Sequence, residues 1–148
     1  MPAPVPSLRV RALKALARRE HSRQELQAKL KAHAENLEEV ERLLDEFEKH
    51  GWLSEARFVE QLTTARRRRF GAARILQELQ EKGVSGAALD DARSRLKAGE
   101  IEAARSVWHK KFGRLPASLE ERAKQSRFLA SRGFSAEVVR RILKGVDE

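Results

Sequence analysis

The stretch NLEEVERLLDEFEKHGWLS, residues 36–54, decides the fold. Leu37, Val40, Leu43, Leu44 and Phe47 recur at spacings of three and four, which draws an apolar stripe along one side of a helix. Asn36 stands just before the stripe, where a side-chain oxygen accepts from the first free backbone N–H groups. Gly51 stands just after it, where the left-handed turn that ends a helix favours glycine, and Trp52 follows where a hydrophobe packs back on the last turn. Ser54 then opens another helix. One helix closes and the next is capped within a few residues, which leaves no space for a strand.

The same grammar extends in both directions. Ser7 caps a first helix from Leu8 to about Arg19, with Ala12, Leu13 and Leu16 on one face. Ser22 and Glu25 form a capping box for a second, with Leu26 and Leu30 four apart. After Ser54 come Phe58, Leu62 and Ala65; Gly71 starts the next helix, with Ile75 and Leu79. Gly83-Val84 ends that helix, and Ser85 caps another with Leu89, Ala92 and Leu96. Beyond Gly99, a helix opening at Glu100 carries Ile101, Ala104 and Trp108, and Phe112-Gly113 closes it. A Ser118–Glu121 capping box begins the eighth helix, and Gly133-Phe134-Ser135 leads into the last, with Val138, Val139, Ile142 and Leu143. Helices one, four and seven begin near 8, 54 and 100, a period of 46 residues. The expected architecture is all-α: three tandem three-helix repeats over 8–53, 54–99 and 100–148, forming an elongated array behind a flexible N-terminal segment, 1–7. A unit of about 45 residues is marginal alone, so neighbouring units supply part of its stability.

Composition narrows the function. With 31 Lys and Arg against 22 Asp and Glu the net charge is +9, which points to a polyanionic partner, nucleic acid or an anionic membrane. Cysteine is absent, so disulfides and thiolate metal sites are excluded. No secretory leader and no apolar run of about 20 residues is present, so a soluble protein is expected. His21, His33, His50 and His109 lack metal-ligand spacing and are expected at the surface or at helix ends. No phosphate-cradling glycine motif and no Ser-His-Asp set occurs, so the chain is expected not to be an enzyme. Trp52 and Trp108 read as core or cap residues rather than base-stacking platforms.

The cations are clustered along the chain. Residues 1–19, 61–77 and 103–119 contain no acidic residue. The first window holds Arg9, Arg11, Lys14 and Arg18, the second Arg66, Arg67, Arg68 and Arg74, the third Arg105, Lys110, Lys111 and Arg114. With Arg127 and Arg132 these are the candidate contacts to a nucleic-acid backbone. Successive helical residues step by about 100°, so the Arg66–Arg69 run cannot share one face. Taking Phe58, Leu62 and Ala65 as the buried stripe, Arg67 points away, Arg66 and Arg68 flank, and Arg69 returns to the stripe and belongs at the frayed end or a module junction. The Glu- and Asp-rich third helix, from Glu38 to Glu48, reads as a solvated acidic face.

Three sets of residues, in order, resemble the RecX family, the bacterial modulators of RecA recombinase. The first is Ala15-Leu16, Arg19-Glu20-His21-Ser22-Arg23, Glu25-Leu26 and Lys29-Leu30. The second is Gly51-Trp52-Leu53, Arg57-Phe58, Gly71, Arg74-Ile75, Gln77-Glu78-Leu79 and Lys82-Gly83-Val84. The third is Lys124, Arg127-Phe128-Leu129 and Arg132-Gly133-Phe134-Ser135. The resemblance runs from about Leu8 to Lys144. Two departures stand out: Gly51-Trp52-Leu53-Ser54 replaces the usual Gly-Tyr-Leu-Asp-type turn, and Ser131 stands where the family often has a base. The second argues against a cationic contact at that spot.

The resemblance implies a curved array, a cytoplasmic setting, no cofactor, and binding to the RecA–single-stranded DNA filament with inhibition of recombinase and ATPase activity. A monomer is expected, with single-stranded DNA, and double-stranded DNA as a second candidate, among the partners. Direct DNA binding by a helical-repeat protein without a recombinase is the alternative, separated by whether tight binding needs RecA on the DNA. A membrane-surface protein is disfavoured, because the basic helices carry ordinary core stripes.

Overall fold

The computed structural model describes residues 5–144; of the N-terminal segment 1–7, residues 1–4 lie outside them. Among the described residues there are nine helices and no strand. They are α1 (Leu8–Arg18), α2 (Arg23–Lys31), α3 (Leu37–Lys49), α4 (Glu55–Arg67), α5 (Ala72–Glu81), α6 (Gly86–Ala98), α7 (Glu100–Lys111), α8 (Leu119–Ser131) and α9 (Ala136–Leu143). The chain divides into two compact units, Met1–Gln61 with Lys82–Val84, and Leu62–Glu81 with Ser85–Glu148.

The helix starts follow from side chains that satisfy orphan N–H groups. Ser7, Ser22, Asn36, Ser118 and Ser135 each accept from the backbone N–H three residues on. Ser54 Oγ does the same for Arg57 N at 3.2 Å. At α2 the box is closed by Glu25, which accepts from Ser22 N at 3.1 Å. At α8 Glu121 reaches one residue further back, to Ala117 N at 2.6 Å. Ser85 precedes α6 but makes no capping bond; its Oγ is not what starts that helix.

In the first unit the core is Ala12, Leu26, Leu30, Val40, Leu44, Phe47 and Leu53. Each large apolar side chain fully buried there contributes about 1.5–3 kcal/mol. Of the α3 stripe, Val40, Leu44 and Phe47 are buried and Leu43 is half-buried, whereas Leu37, in the first turn, is exposed. On α1 the buried residue is Ala12, and Leu13, expected on the same face, is 42 % exposed. One step of about 100° from Ala12 carries Leu13 off the buried side.

The turn after α3 is a Schellman motif: Gly51 N donates to Glu48 O and Trp52 N to Phe47 O, with Gly51 at φ +74°. Trp52 packs edge-on against Phe47 and stacks on His50, yet stays 44 % exposed. Leu53, one residue further, enters the core instead. Trp52 is therefore a cap residue and not a core residue.

The second unit has its main core in Ala104, Val107, Leu129, Phe134, Val138, Val139, Ile142 and Leu143. Its Gly133 turn repeats the Schellman pattern, Gly133 N to Ala130 O and Phe134 N to Leu129 O, and here the residue after glycine is buried. Buried Glu100 accepts from Ser135 N at 3.0 Å and ties the start of α7 to the start of α9. Trp108 Nε1 donates to Gln125 Oε1 at 2.8 Å, while Gln125 Nε2 donates to Arg114 O at 3.0 Å. That chain pins the α7–α8 loop, and it gives Trp108 a structural task.

No helix among the described residues is long and apolar enough to cross a membrane. No group of three or more His, Asp or Glu among them could hold a metal ion.

Candidate nucleic-acid interface

The two units differ sharply in charge. The first holds 12 Lys and Arg against 11 Asp and Glu; the second holds 19 against 11. Eight of the nine surplus charges thus belong to the second unit.

In the first unit the acidic α3 is more than a solvated face. Glu46 takes Arg9 through both carboxylate oxygens, at 2.7 and 2.6 Å, and Arg9 lies over the Phe47 ring. Arg23 pairs with Glu48 and, at 2.8 Å, with Asp45. A cation so neutralised gains little from a phosphate. Of the other candidates there, Arg11 is half-buried, whereas Lys14 and Arg18 are exposed. At the α1–α2 junction Arg19 and Lys82 both hold Glu25. Burial alone would raise this carboxyl, but the Arg19 bonds, the Ser22 N–H and the Lys82 charge bring it down to about 2.

The four-arginine run in the second unit has four different fates. Arg66 is bound by Glu78 at 2.8 and 3.0 Å. Arg67, expected to point away from the buried stripe, is half-buried: its Nη2 donates to Leu96 O at 3.1 Å, and its guanidinium lies against Gly99. The expectation failed because Ala65 is exposed and Leu62 only half-buried, so the true inner face is rotated from the assumed one. Arg68 is exposed and has no ion-pair partner among the described residues. Arg69 lies beyond the end of α4.

Beyond Arg69 the chain meets the end of α8. Gly71 N donates to Arg132 O at 2.7 Å and Ala73 N to Gly133 O at 3.3 Å, with no side chain between the strands of backbone. A Cβ on Gly71 would sit 2.5 Å from Gly133 O, and one on Gly133 would sit 2.7 Å from Arg74 Cβ. This close approach gathers side chains far apart in sequence. The guanidinium carbons of Arg74, Arg132 and Arg69 lie 4.4, 5.5 and 5.6 Å from the centre of the Phe70 ring. Arg132 lies also 4.9 Å from the Phe128 ring, where Lys111 approaches to 5.5 Å and Phe112 packs edge-on. Two carbonyls steady the cluster: Ser131 O accepts from Arg74 Nη1 at 3.2 Å, and Arg69 O from Arg132 Nη1 at 3.4 Å.

None of these four cations forms an ion pair with a carboxylate among the described residues. Cation–π contacts of this kind contribute about 0.5–1 kcal/mol each. Two unit charges ~10 Å apart repel by roughly 0.4 kcal/mol in bulk water and about 1.7 at an effective dielectric of 20. The rings offset the repulsion and leave the charge without a counter-ion, which is the electrostatic state of an anion site before its anion arrives.

Of the fourteen sequence candidates, Arg74, Lys111 and Arg132 are brought together here. Arg105, Lys110, Arg114 and Arg127 are exposed elsewhere on the unit, and Arg9 and Arg66 are held by carboxylates. Arg69, Phe70 and Phe128 were not among the candidates. The signal available for them was an aromatic beside an arginine at each side of a close glycine contact. His21, expected at the surface or a helix end, is 1 % exposed; His33, His50 and His109 are exposed.

Residues 54–92 match the family model for the second three-helix domain of RecX, and residues 99–143 match that for the third. The chain is 50 % identical over 141 residues to "Regulatory protein RecX" of Ralstonia nicotianae, covering 95 % of this chain and 89 % of that one. It is also 50 % identical over 141 residues to the protein of that name from Leptothrix cholodnii, covering 95 % and 90 %. Its fold is similar to the crystal structure of RecX from Lactobacillus salivarius, with a TM-score of 0.78 at 16 % identity over 95 % of this chain and 94 % of that chain.

Proposed function

The chain belongs to the RecX family of regulatory proteins, and from that premise we propose that it binds the filament RecA recombinase forms on single-stranded DNA and lowers recombinase and ATPase activity there. It works as a monomer in the cytoplasm, in DNA repair and recombination, by occupying a surface rather than by chemistry of its own. The observation that carries this reading is the partition of charge. A protein meant only to be soluble gains nothing from placing eight of nine surplus charges on one unit. A protein that must settle on a phosphate-rich assembly does, because each cation that reaches a phosphate releases a condensed counter-ion. Occupancy of the filament opposes the release and addition of recombinase subunits, and ATP turnover coupled to them slows.

The test is the steady-state ATPase of RecA on single-stranded DNA as this protein is added. A saturable fall is expected. Unchanged ATPase and strand exchange at saturating protein would overturn the reading.

A further inference from the structure

We infer that Arg74, Arg132 and Arg69, gathered around Phe70, seat the phosphodiester backbone of single-stranded nucleic acid, and that Phe70 positions their guanidinium groups rather than stacking on a base. The inference rests on the reading of the chain as a binder of a nucleic-acid filament.

Three observations carry it. The guanidinium carbons lie within 5.6 Å of one ring centre, so no two can be further apart than about 11 Å, and none has a carboxylate partner among the described residues. A phosphate presents acceptor oxygens to several such forks at once, which a single carboxylate on a flexible side chain does not. The groups are also held before any ligand arrives. Ser131 O and Arg69 O each take one N–H, and the Gly71–Gly133 backbone contact fixes the distance between α5 and α8. Finally, a phenyl ring has two faces, and three guanidinium groups already crowd this one. The ring is thereby committed to holding cations, so the seat reads the backbone and is indifferent to sequence. Arg66 and Arg67, the denser charge in the sequence, are excluded from the seat by Glu78 and by Leu96 O.

The experiment uses the full chain without recombinase. Binding to a fluorescein-labelled oligothymidylate is followed by anisotropy over a salt series, for wild type, the Arg74→Gln/Arg132→Gln double variant, Phe70→Leu, Phe70→Trp, and a charge-matched control at exposed cations outside the candidates, Lys31→Gln/Lys49→Gln. The double variant is expected to lose about tenfold or more in affinity, the loss of charge-assisted bonds. Its slope of log affinity against log salt is expected to be shallower by about 0.7 for each phosphate contact removed. Phe70→Leu is expected to weaken binding and Phe70→Trp to restore it, because an aromatic face is what the guanidinium groups need. An abasic strand with the same number of phosphates is expected to bind as well as oligothymidylate. Pyrophosphate and ATP are expected to compete only at far higher concentration than a strand.

Four results would overturn the inference: no strand binding by wild type at low salt; a folded double variant that keeps wild-type affinity and slope, or behaves as the control does; an abasic strand that fails to bind; or a free nucleotide that competes as well as a strand. A folded Phe70→Leu that binds as wild type would overturn the positioning role. All are read without RecA, so they are distinct from failure of the ATPase test. ATPase inhibition that persists in the double variant would leave the proposed function standing and this seat refuted.

Discussion

His21 is held between a carbonyl and an ammonium. Its Nδ1 lies 3.0 Å from Arg19 O and its Nε2 2.7 Å from Lys29 Nζ. Lysine can only donate, so Nε2 accepts, the ring proton sits on Nδ1, and Nδ1 donates to the carbonyl. The buried imidazole is therefore neutral. Burial lowers its pKa first, the Arg19 carbonyl pulls the other way, and the Arg19 and Lys29 charges lower it further. With the folded value below the unfolded one, about 6.5, its contribution is complete above that pH and is lost as pH falls through the window beneath it. Melting temperature is expected to drop as pH falls below about 6.5, and less steeply in His21→Asn, which keeps a donor for Arg19 O; identical profiles would contradict this. The sequence reading puts the His residues at the surface or at helix ends; His21 does stand at a helix end, just before the Ser22 cap of α2, and what the reading lacks is its burial. The lysine eight positions on, which reaches back from α2 to cap the ring, leaves no local pattern. The same limit applied to Arg67. The 100° step does give the four arginines different surroundings, but the inner face of α4 is chosen by packing, and Ala65 does not lie on it.

Among the elements, two glycine contacts look alike and should behave differently. A Cβ on Gly71 meets backbone, Gly133 O at 2.5 Å, and Phe134 Cδ1 at 2.7 Å. A Cβ on Gly99 meets the far end of Arg67, at Nη2. Backbone cannot step aside, whereas a guanidinium can. Gly71→Ala is expected to cost about 1–3 kcal/mol, in the range of overpacked cores. Gly99→Ala is expected to cost no more than about the one hydrogen bond Arg67 makes, roughly 0.5–1.5 kcal/mol. Urea denaturation separates the two, and equal losses would contradict the assignment. The helices themselves were legible in the sequence because caps and stripes are local: Ser22–Glu25, Asn36 and most of the α3 stripe stand where they were read. The approach of α5 to α8 was not, since nothing in a 3.6-residue period says which glycine faces which. The Gly-hydrophobe-Ser turns were found, but Gly51-Trp52-Leu53 has one residue more than Gly133-Phe134, and the extra residue moves the buried position from Trp52 to Leu53.

At the scale of the molecule, the acid-free windows were visible along the chain, and the balance that distinguishes them was not. The first window is answered by α3, whose Glu46 holds Arg9, and the second unit has no comparable acidic helix against its cations. The sequence therefore gave equal weight to three basic segments, of which folding neutralises the first in part and concentrates the others with Arg127 and Arg132 on one unit. A basic regulatory protein of the RecX family built in this way should favour strand already coated by recombinase, where protein contacts add to phosphate contacts. The most direct measurement is sedimentation of this protein with RecA–single-stranded DNA filaments and, in parallel, with the same DNA uncoated, at near-physiological salt. Saturable co-sedimentation with the filament, weaker on bare strand and declining as salt rises, is the expected result. Equal or tighter binding to bare strand, with the protein left in the supernatant above coated filaments, would contradict it and return the chain to a direct binder of DNA.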